Sequence, residues 1–264
     1  MTNATCHHVF RDERLAFMSE GPTGSGRCGL FWLGGFKSQM TGEKANWLAE
    51  WAQAQGRNLL RFDYSGHGLS SGAFTDGTIS RWLEQSAEMF QRHAPGPRIV
   101  LGSSMGGWLA LLMARHLAAT HPEEAARIRG FVLLAPAVDM TATLIPQGLT
   151  GEERRQLEAD GVAERPSAYG DGPYRITRQL LEDGEKHLLF GRPYEVDVPV
   201  AILHGDKDPD VPWQHGHRVF EMIASPDARF TLIKGGDHRL SDARALALLE
   251  DSVASLCARV DSSG

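Results

Sequence analysis

Short, almost continuously apolar runs alternate along this chain with longer stretches whose apolar positions recur every three to four residues. The runs 30–33, 58–64, 98–103, 130–135, 198–203 and 229–234 read as strands. Their Val, Ile and Leu content, with little polar alternation, fits strands covered on both faces. The stretches 43–55, 79–93, 108–119, 213–224 and 241–258 read as helices. This alternation predicts an α/β domain with a mostly parallel central sheet and helices on both faces. Residues 139–197 break the rhythm. They are charged, hold Gly and Pro, and show helical patches at 152–160 and 174–187. That is too long for an ordinary connection. The expected organisation is one domain over 1–264 with a small helical lid at about 139–197. The alternative is a plain surface excursion.

Composition narrows the classes. The 264 residues are 42% hydrophobic and 23% charged, an ordinary globular balance that can bury a substantial core. A net charge of -6 without a basic stripe argues against nucleic acid. No run reaches eighteen apolar residues, so no integral membrane segment is expected. Residues 1–20 carry Arg11, Asp12, Glu13 and Arg14 and lack an apolar signal core. Cys6, Cys28 and Cys257 are odd in number and widely spaced. They suggest free thiols in a reducing compartment, hence a cytoplasmic location.

The most informative chemistry lies at Gly102-Ser103-Ser104-Met105-Gly106-Gly107. A strand breaks into small residues around a serine and opens into a helix, the form of a nucleophile elbow, G-x-S-x-G. The register selects Ser104, because Ser103 is flanked two residues away by Leu101 and Met105. The alternative is a small-residue turn in a chain that has 29 Gly. A serine nucleophile needs a base and the base an orienting acid. His204-Gly205-Asp206-Lys207-Asp208-Pro209-Asp210 ends one strand in an acidic loop, and Gly235-Gly236-Asp237-His238 ends the next in a histidine. Ser104, Asp208 and His238 thus each follow a different strand, where catalytic groups of open α/β sheets sit. Asp208 is the expected acid. Asp210 and Asp139 are alternatives, and Asp206 is expected to serve the turn. His204 reads as structural, His215 and His217 as exposed helix positions, and His7 and His8 as no metal site.

An oxyanion needs two donors. The backbone N–H of Met105 follows the nucleophile, and the loop Gly34-Gly35-Phe36 supplies the N–H of Phe36. Trp108 and Trp213 are candidates for an acyl pocket, or ordinary core residues. The loop Asp63-Tyr64-Ser65-Gly66-His67-Gly68-Leu69-Ser70 reads as a glycine-rich structural turn. It has neither a G-K-[ST] nor a dinucleotide spacing.

Taken together, these motifs resemble the α/β-hydrolase superfamily. A closer resemblance rests on Phe62-Asp63-Tyr64-Ser65-Gly66, Gly102 to Trp108, Pro166-Ser167-Ala168-Tyr169, Val211-Pro212-Trp213 and Asp237-His238-Arg239. These are similar to the mitochondrial branch of acyl-protein thioesterases and acyl-glucuronide esterases, from about residue 30 onward. The resemblance implies an α/β-hydrolase fold and a Ser-Asp-His esterase or thioesterase with a small helical lid. The expected substrate is a small or acylated molecule, cleaved by two-step acyl transfer without metal or organic cofactor. Activity is expected to fall as His238 protonates. Serine peptidase, lipase, cofactor-free perhydrolase and a non-catalytic binding module remain alternatives. Homo-oligomerisation is compatible with the sequence but not specified by it.

Overall fold

Eight strands form one sheet in a computed structural model of the chain, which describes residues 4–23, 26–166 and 174–262. In chain order they are β1 (Cys6–Phe10), β2 (Glu13–Glu20), β3 (Gly29–Leu33), β4 (Leu59–Phe62), β5 (Arg98–Ser103) and β6 (Ile128–Leu134), then β10 (Val200–Gly205) and β12 (Ala228–Ile233). The short pairs β7 (Val162–Arg165) with β8 (Tyr174–Thr177), and β9 (Tyr194–Glu195) with β11 (Ile223–Ala224), lie outside that sheet. The sheet order is β1-β2-β4-β3-β5-β6-β10-β12. β2 pairs antiparallel with both β1 and β4; every later pairing is parallel.

Nine α-helices accompany the strands among the described residues. They are α1 (Glu43–Ala54), α2 (Ile79–His93), α3 (Met105–Thr120), α4 (Pro122–Ala125), α5 (Leu144–Gly148), α6 (Gly151–Asp160), α7 (Arg178–Gly184), α8 (Trp213–Met222) and α9 (Ala243–Ser262). The apolar stripes of α1 and α9, including Leu48, Trp51, Leu249 and Val253, share one core with Leu30 and Leu101. The stripes of α2, α3 and α8, including Trp82, Leu109 and Val219, share the other with Phe31 and Val100. Alternate residues of β3 and β5 therefore feed opposite cores, which is why every residue of both strands is buried. The sheet is the mostly parallel, doubly covered one expected from the sequence.

Two elements depart from that expectation. The first is a β1–β2 hairpin at the N-terminus, turned at Arg11 with φ 55°, which extends the sheet beyond β4. The second lies in 174–187, where a single helical patch was expected. Tyr174–Thr177 instead pairs with Val162–Arg165, and the helix starts only at Arg178. Thr177 marks that change, because its hydroxyl caps the new helix by accepting the Leu180 N–H at 3.1 Å.

Between β6 and β10 the chain builds α5, α6, the β7–β8 hairpin and α7. Asp139, at φ 55°, holds the stem of this excursion closed. Its carboxylate accepts the N–H of Leu189 at 2.8 Å and of Phe190 at 2.9 Å. Asp183 ties the excursion to α2 by accepting the Ser80 N–H at 2.7 Å and the Ser80 hydroxyl at 2.8 Å. Inside it, Thr150 and Glu153 form a reciprocal capping box. Arg165 then reaches back to Glu153 at 3.0 Å. No helix among the described residues is long and apolar enough to cross a membrane.

Candidate active site

Ser104 stands between β5 and α3 at φ 56° and ψ -119°, a conformation that L-residues rarely adopt. Backbone bonds hold it there. Its N–H donates to the Leu134 carbonyl at 2.8 Å, and its carbonyl accepts the N–H groups of Gly107 at 2.9 Å and Ala137 at 3.1 Å. The flanking glycines are steric requirements. A Cβ on Gly106 would lie 2.1 Å from the Leu33 carbonyl oxygen, and one on Gly102 would lie 2.3 Å from that of Gly106.

The loop after β3 packs directly against this elbow. A Cβ on Gly35 would come within 3.3 Å of the Ser104 Cβ. The N–H groups of Phe36 and Met105 have no protein acceptor among the described residues. That of Met105 opens the first turn of α3, where the helix dipole favours negative charge.

Past β10, the Asp208 side chain is fully buried. One carboxylate oxygen accepts the N–H groups of Asp210 at 2.9 Å and Val211 at 2.8 Å. The other lies 2.7 Å from Nδ1 of His238, which follows β12. Burial pushes the Asp208 carboxyl up. Bonds with His204 and His238, the His238 charge and the Val211 N–H outweigh it and hold the group well below the usual range. His204, fully buried at the end of β10, donates from Nε2 to the Val211 carbonyl at 2.8 Å and sits 3.5 Å from the same Asp208 oxygen.

The other acids have different duties. Asp206 binds the Gly235 N–H at 2.5 Å and Lys234 at 2.9 Å, so it serves the turn. Asp139 is committed to the stem at Leu189 and Phe190. Asp210 is exposed at the rim. The ligand atoms of Asp208, Asp210 and His238 lie within 4.8 Å of one another, so these three side chains are where a cation could be tried. Nδ1 of His238 is already engaged with Asp208.

Ser104 and His238 line one cavity of about 590 Å³. Its apolar wall includes Phe36, Ala137, Met140, Leu144, Ile145 and Ile176. Lys44, Arg165, Arg239 and Asp210 stand on its polar side. Burial lowers the Lys44 ammonium to about 8, against the raising effect of Asp237, and the group donates to the Arg239 carbonyl beside His238.

Trp108 and Trp213 do not line this cavity. Trp108 is fully buried in the core because it faces inward from the first turn of α3. Trp213 is half-buried at the start of α8, edge-on to His217. The pocket placement expected for them is corrected accordingly. His215 was expected to be exposed, but it packs edge-on against Phe190, and burial lowers it to about 4. The expected motif residues Ser167, Ala168 and Tyr169 lie outside the described residues.

Sequence reading missed Lys44, Arg165 and the role of the 63–70 loop. Asp63 accepts the Met40 N–H at 2.6 Å, His67 Nε2 accepts the Lys37 N–H at 3.0 Å, and the Tyr64 hydroxyl donates to the Gly34 carbonyl at 3.3 Å. Three side chains of one loop thereby hold the backbone that carries Phe36. The signal available was polar residues directly past a strand end, beside glycines that leave room for them.

Known proteins resemble this chain in sequence and fold. The family model described as "Serine aminopeptidase, S33" matches residues 38–242. The mouse palmitoyl-protein thioesterase ABHD10, mitochondrial, is 36% identical over 222 residues, covering 84% of this chain and 72% of that one. A solved mouse structure, alpha/beta hydrolase domain-containing protein 10, superposes with a TM-score of 0.83 at 32% identity, over 97% of this chain and 99% of that one. A crystal structure from Agrobacterium vitis S4, whose hydrolase assignment is provisional, superposes with a TM-score of 0.90 at 38% identity, over 97% and 98%.

Proposed function

We propose, from the premise that this chain belongs to the α/β-hydrolase family whose model spans residues 38–242, that it cleaves carboxylic ester or thioester bonds through a Ser104–His238–Asp208 triad. The observation that carries the reading is the buried Asp208 carboxylate, 2.7 Å from Nδ1 of a histidine that shares a cavity with a strained elbow serine. In this reading Asp208 holds the His238 tautomer that leaves Nε2 free to take the Ser104 proton. The alkoxide attacks the acyl carbon, and the N–H groups of Phe36 and Met105 stabilise the oxyanion. Collapse expels the alcohol or thiol, which takes the proton from His238. Water then attacks the acyl-enzyme, giving its proton to His238, and release of the carboxylic acid returns that proton to Ser104.

The excursion between β6 and β10 is a lid in this scheme. Met140, Leu144, Ile145 and Ile176 form an apolar wall for the acyl chain, and the thioesterase name of the mouse relative fits such a substrate. No metal or organic cofactor is needed for these steps. All three cysteines are free, which suits a reducing compartment such as the cytoplasm, whereas the mouse relative's name carries a mitochondrial location.

A fluorophosphonate probe tests the nucleophile. The native chain is expected to be labelled and to hydrolyse p-nitrophenyl esters, and Ser104→Ala to do neither. Labelling or turnover that persists in Ser104→Ala overturns the mechanism. A panel of acyl lengths on ester and thioester leaving groups then fixes the substrate.

A further inference from the structure

We infer that His67 is a positioning residue for the oxyanion donor, setting the Phe36 N–H by accepting the N–H of the next residue. This rests on the acyl-transfer reading given above. The loop 34–38 needs such a brace. It begins with two glycines and contains Lys37 at φ 59°, so its local preferences do not select one orientation for the peptides on either side of Phe36. Within the loop, the N–H and hydroxyl of Ser38 bond to the Gly35 carbonyl at 3.1 and 2.7 Å. These bonds act on the carbonyl of the peptide that carries the Phe36 N–H and leave the next peptide, Phe36 to Lys37, to be set from outside the turn; the Phe36 N–H itself has no acceptor among the described residues.

The bond from Lys37 N–H to His67 Nε2, at 3.0 Å, orients the peptide joining Phe36 to Lys37. It requires an unprotonated Nε2. The other ring nitrogen supplies that condition, since Nδ1 lies 3.2 Å from the Ser65 carbonyl and can only donate there. His67 is 3% exposed, and its ring meets Tyr64, Phe74 and Trp82 edge-on at centroid distances of 5.4, 5.1 and 5.1 Å. Burial lowers its pKa to about 4, so the ring stays neutral under the conditions in which the triad works. The Phe36 ring packs on the same Phe74 and Trp82, at 4.8 and 6.0 Å. Backbone and side chain of the donor residue are thus both referenced to one buried histidine cluster. The ring is buried and enclosed by aromatic neighbours, and both its nitrogens are engaged, so its contribution is geometric.

The test compares His67→Leu, which fills space without an acceptor, with His67→Gln, whose amide oxygen can replace Nε2. Each is assayed on a p-nitrophenyl ester and on its thionoester, whose sulfur accepts oxyanion-hole hydrogen bonds poorly. His67→Leu is expected to lose about ten- to hundredfold in kcat with KM little changed, somewhat less than deletion of a donor outright. The preference for ester over thionoester should shrink with it, and His67→Gln should recover most of both. Full kcat and an unchanged ester preference in folded His67→Leu overturn the assignment. So does a loss that His67→Gln leaves unrelieved. If His67→Leu does not fold, long-range 1H–15N spectra of the native chain decide the point. A proton on His67 Nδ1 with Nε2 bare supports the role, and a proton on Nε2 overturns it. Ser104→Ala separates the two layers. Activity surviving that change removes the acyl-transfer reading. Activity lost there but intact in His67→Leu removes only the positioning role.

Discussion

Asp208 shows how much of the proposed catalytic arrangement would hang on one carboxylate. It accepts two backbone N–H groups on one oxygen and His238 on the other, so both oxygens are used and its rotamer is fixed. Replacing it by Asn removes the charge that would stabilise a His238 imidazolium and can present an N–H where an acceptor is needed. Asp208→Asn is expected to lower kcat by about three to four orders of magnitude with the fold retained, checked by ester turnover alongside circular dichroism. A loss below tenfold would assign the acid elsewhere, with exposed Asp210 the first place to look. That Asp208, rather than its acidic neighbours, is the candidate partner of His238 could be anticipated from sequence, because its distance from His204-Gly205 and from the strand end is a spacing. His67 could not be identified in the same way. Its partner is a backbone N–H thirty residues away, and a main-chain donor leaves no mark on residue identity. Trp108 failed for a related reason: a helix has inward and outward faces, and the residue's closeness to Ser104 in sequence did not say which one it took.

Among the elements, those packed on both faces were legible and those that are locally ambiguous were not. The strand 98–103 and the helix 79–93 were read with the bounds they have, the first because a short apolar run ends in small residues and the second because its apolar positions recur at the helical period. Residues 174–187 mix two periods. Tyr174 and Ile176 alternate as a strand does, while Leu180 and Leu181 continue as a helix does, and the capping Thr177 divides them. The elements between β6 and β10 are held partly by ion pairs and capping bonds, such as Arg165 with Glu153, and this makes them sensitive to acid. Hydrogen bonding from Arg165 holds Glu153 down to about 2, against the raising effect of burial. A carboxylate whose pKa is lowered by folding stabilises fully above its unfolded value and less as pH falls through its folded one. The Glu153 contribution is therefore present above about pH 4.5 and is lost towards about pH 2. Hydrogen exchange between pH 6 and 3 should show amides of 150–165 losing protection before those of β5. Equal loss in both segments, or Glu153→Gln behaving as the native chain does throughout, would disprove this local weak point.

At the scale of the whole molecule, the two ends of the chain are fastened to the sheet in different ways. The N-terminal hairpin joins by strand pairing. The C-terminal helix is fastened by Asp261, which accepts the Cys28 N–H at 2.8 Å and binds Arg57 at 2.7 Å. Asp261→Ala should lower Tm by several degrees, roughly 1–3 kcal/mol of lost polar pairing, with kcat on esters unchanged, as measured by thermal melts and turnover. A Tm within one degree of native would show that the clasp contributes nothing. All candidate functional groups lie away from this fastening, at the other ends of the parallel strands.

The sheet order has a consequence in time. β3 enters between β4 and β5, and the groups nearest Ser104 come from segments that follow β3, β10 and β12. The candidate groups are spread from Phe36 to His238, so no short fragment of the chain holds them all, and the last of those strands must dock before His238 can meet Asp208. Such long-range pairings form slowly, and chains of this size pass through partly assembled intermediates on the way. During refolding from denaturant, helical ellipticity should return early, while ester hydrolysis should wait for the slowest phase. A chain that regains turnover in its first, fast phase would have a simpler route to the native state than its strand order implies. Otherwise catalysis is itself the clock for the final step of folding, and an esterase assay counts only molecules that have finished.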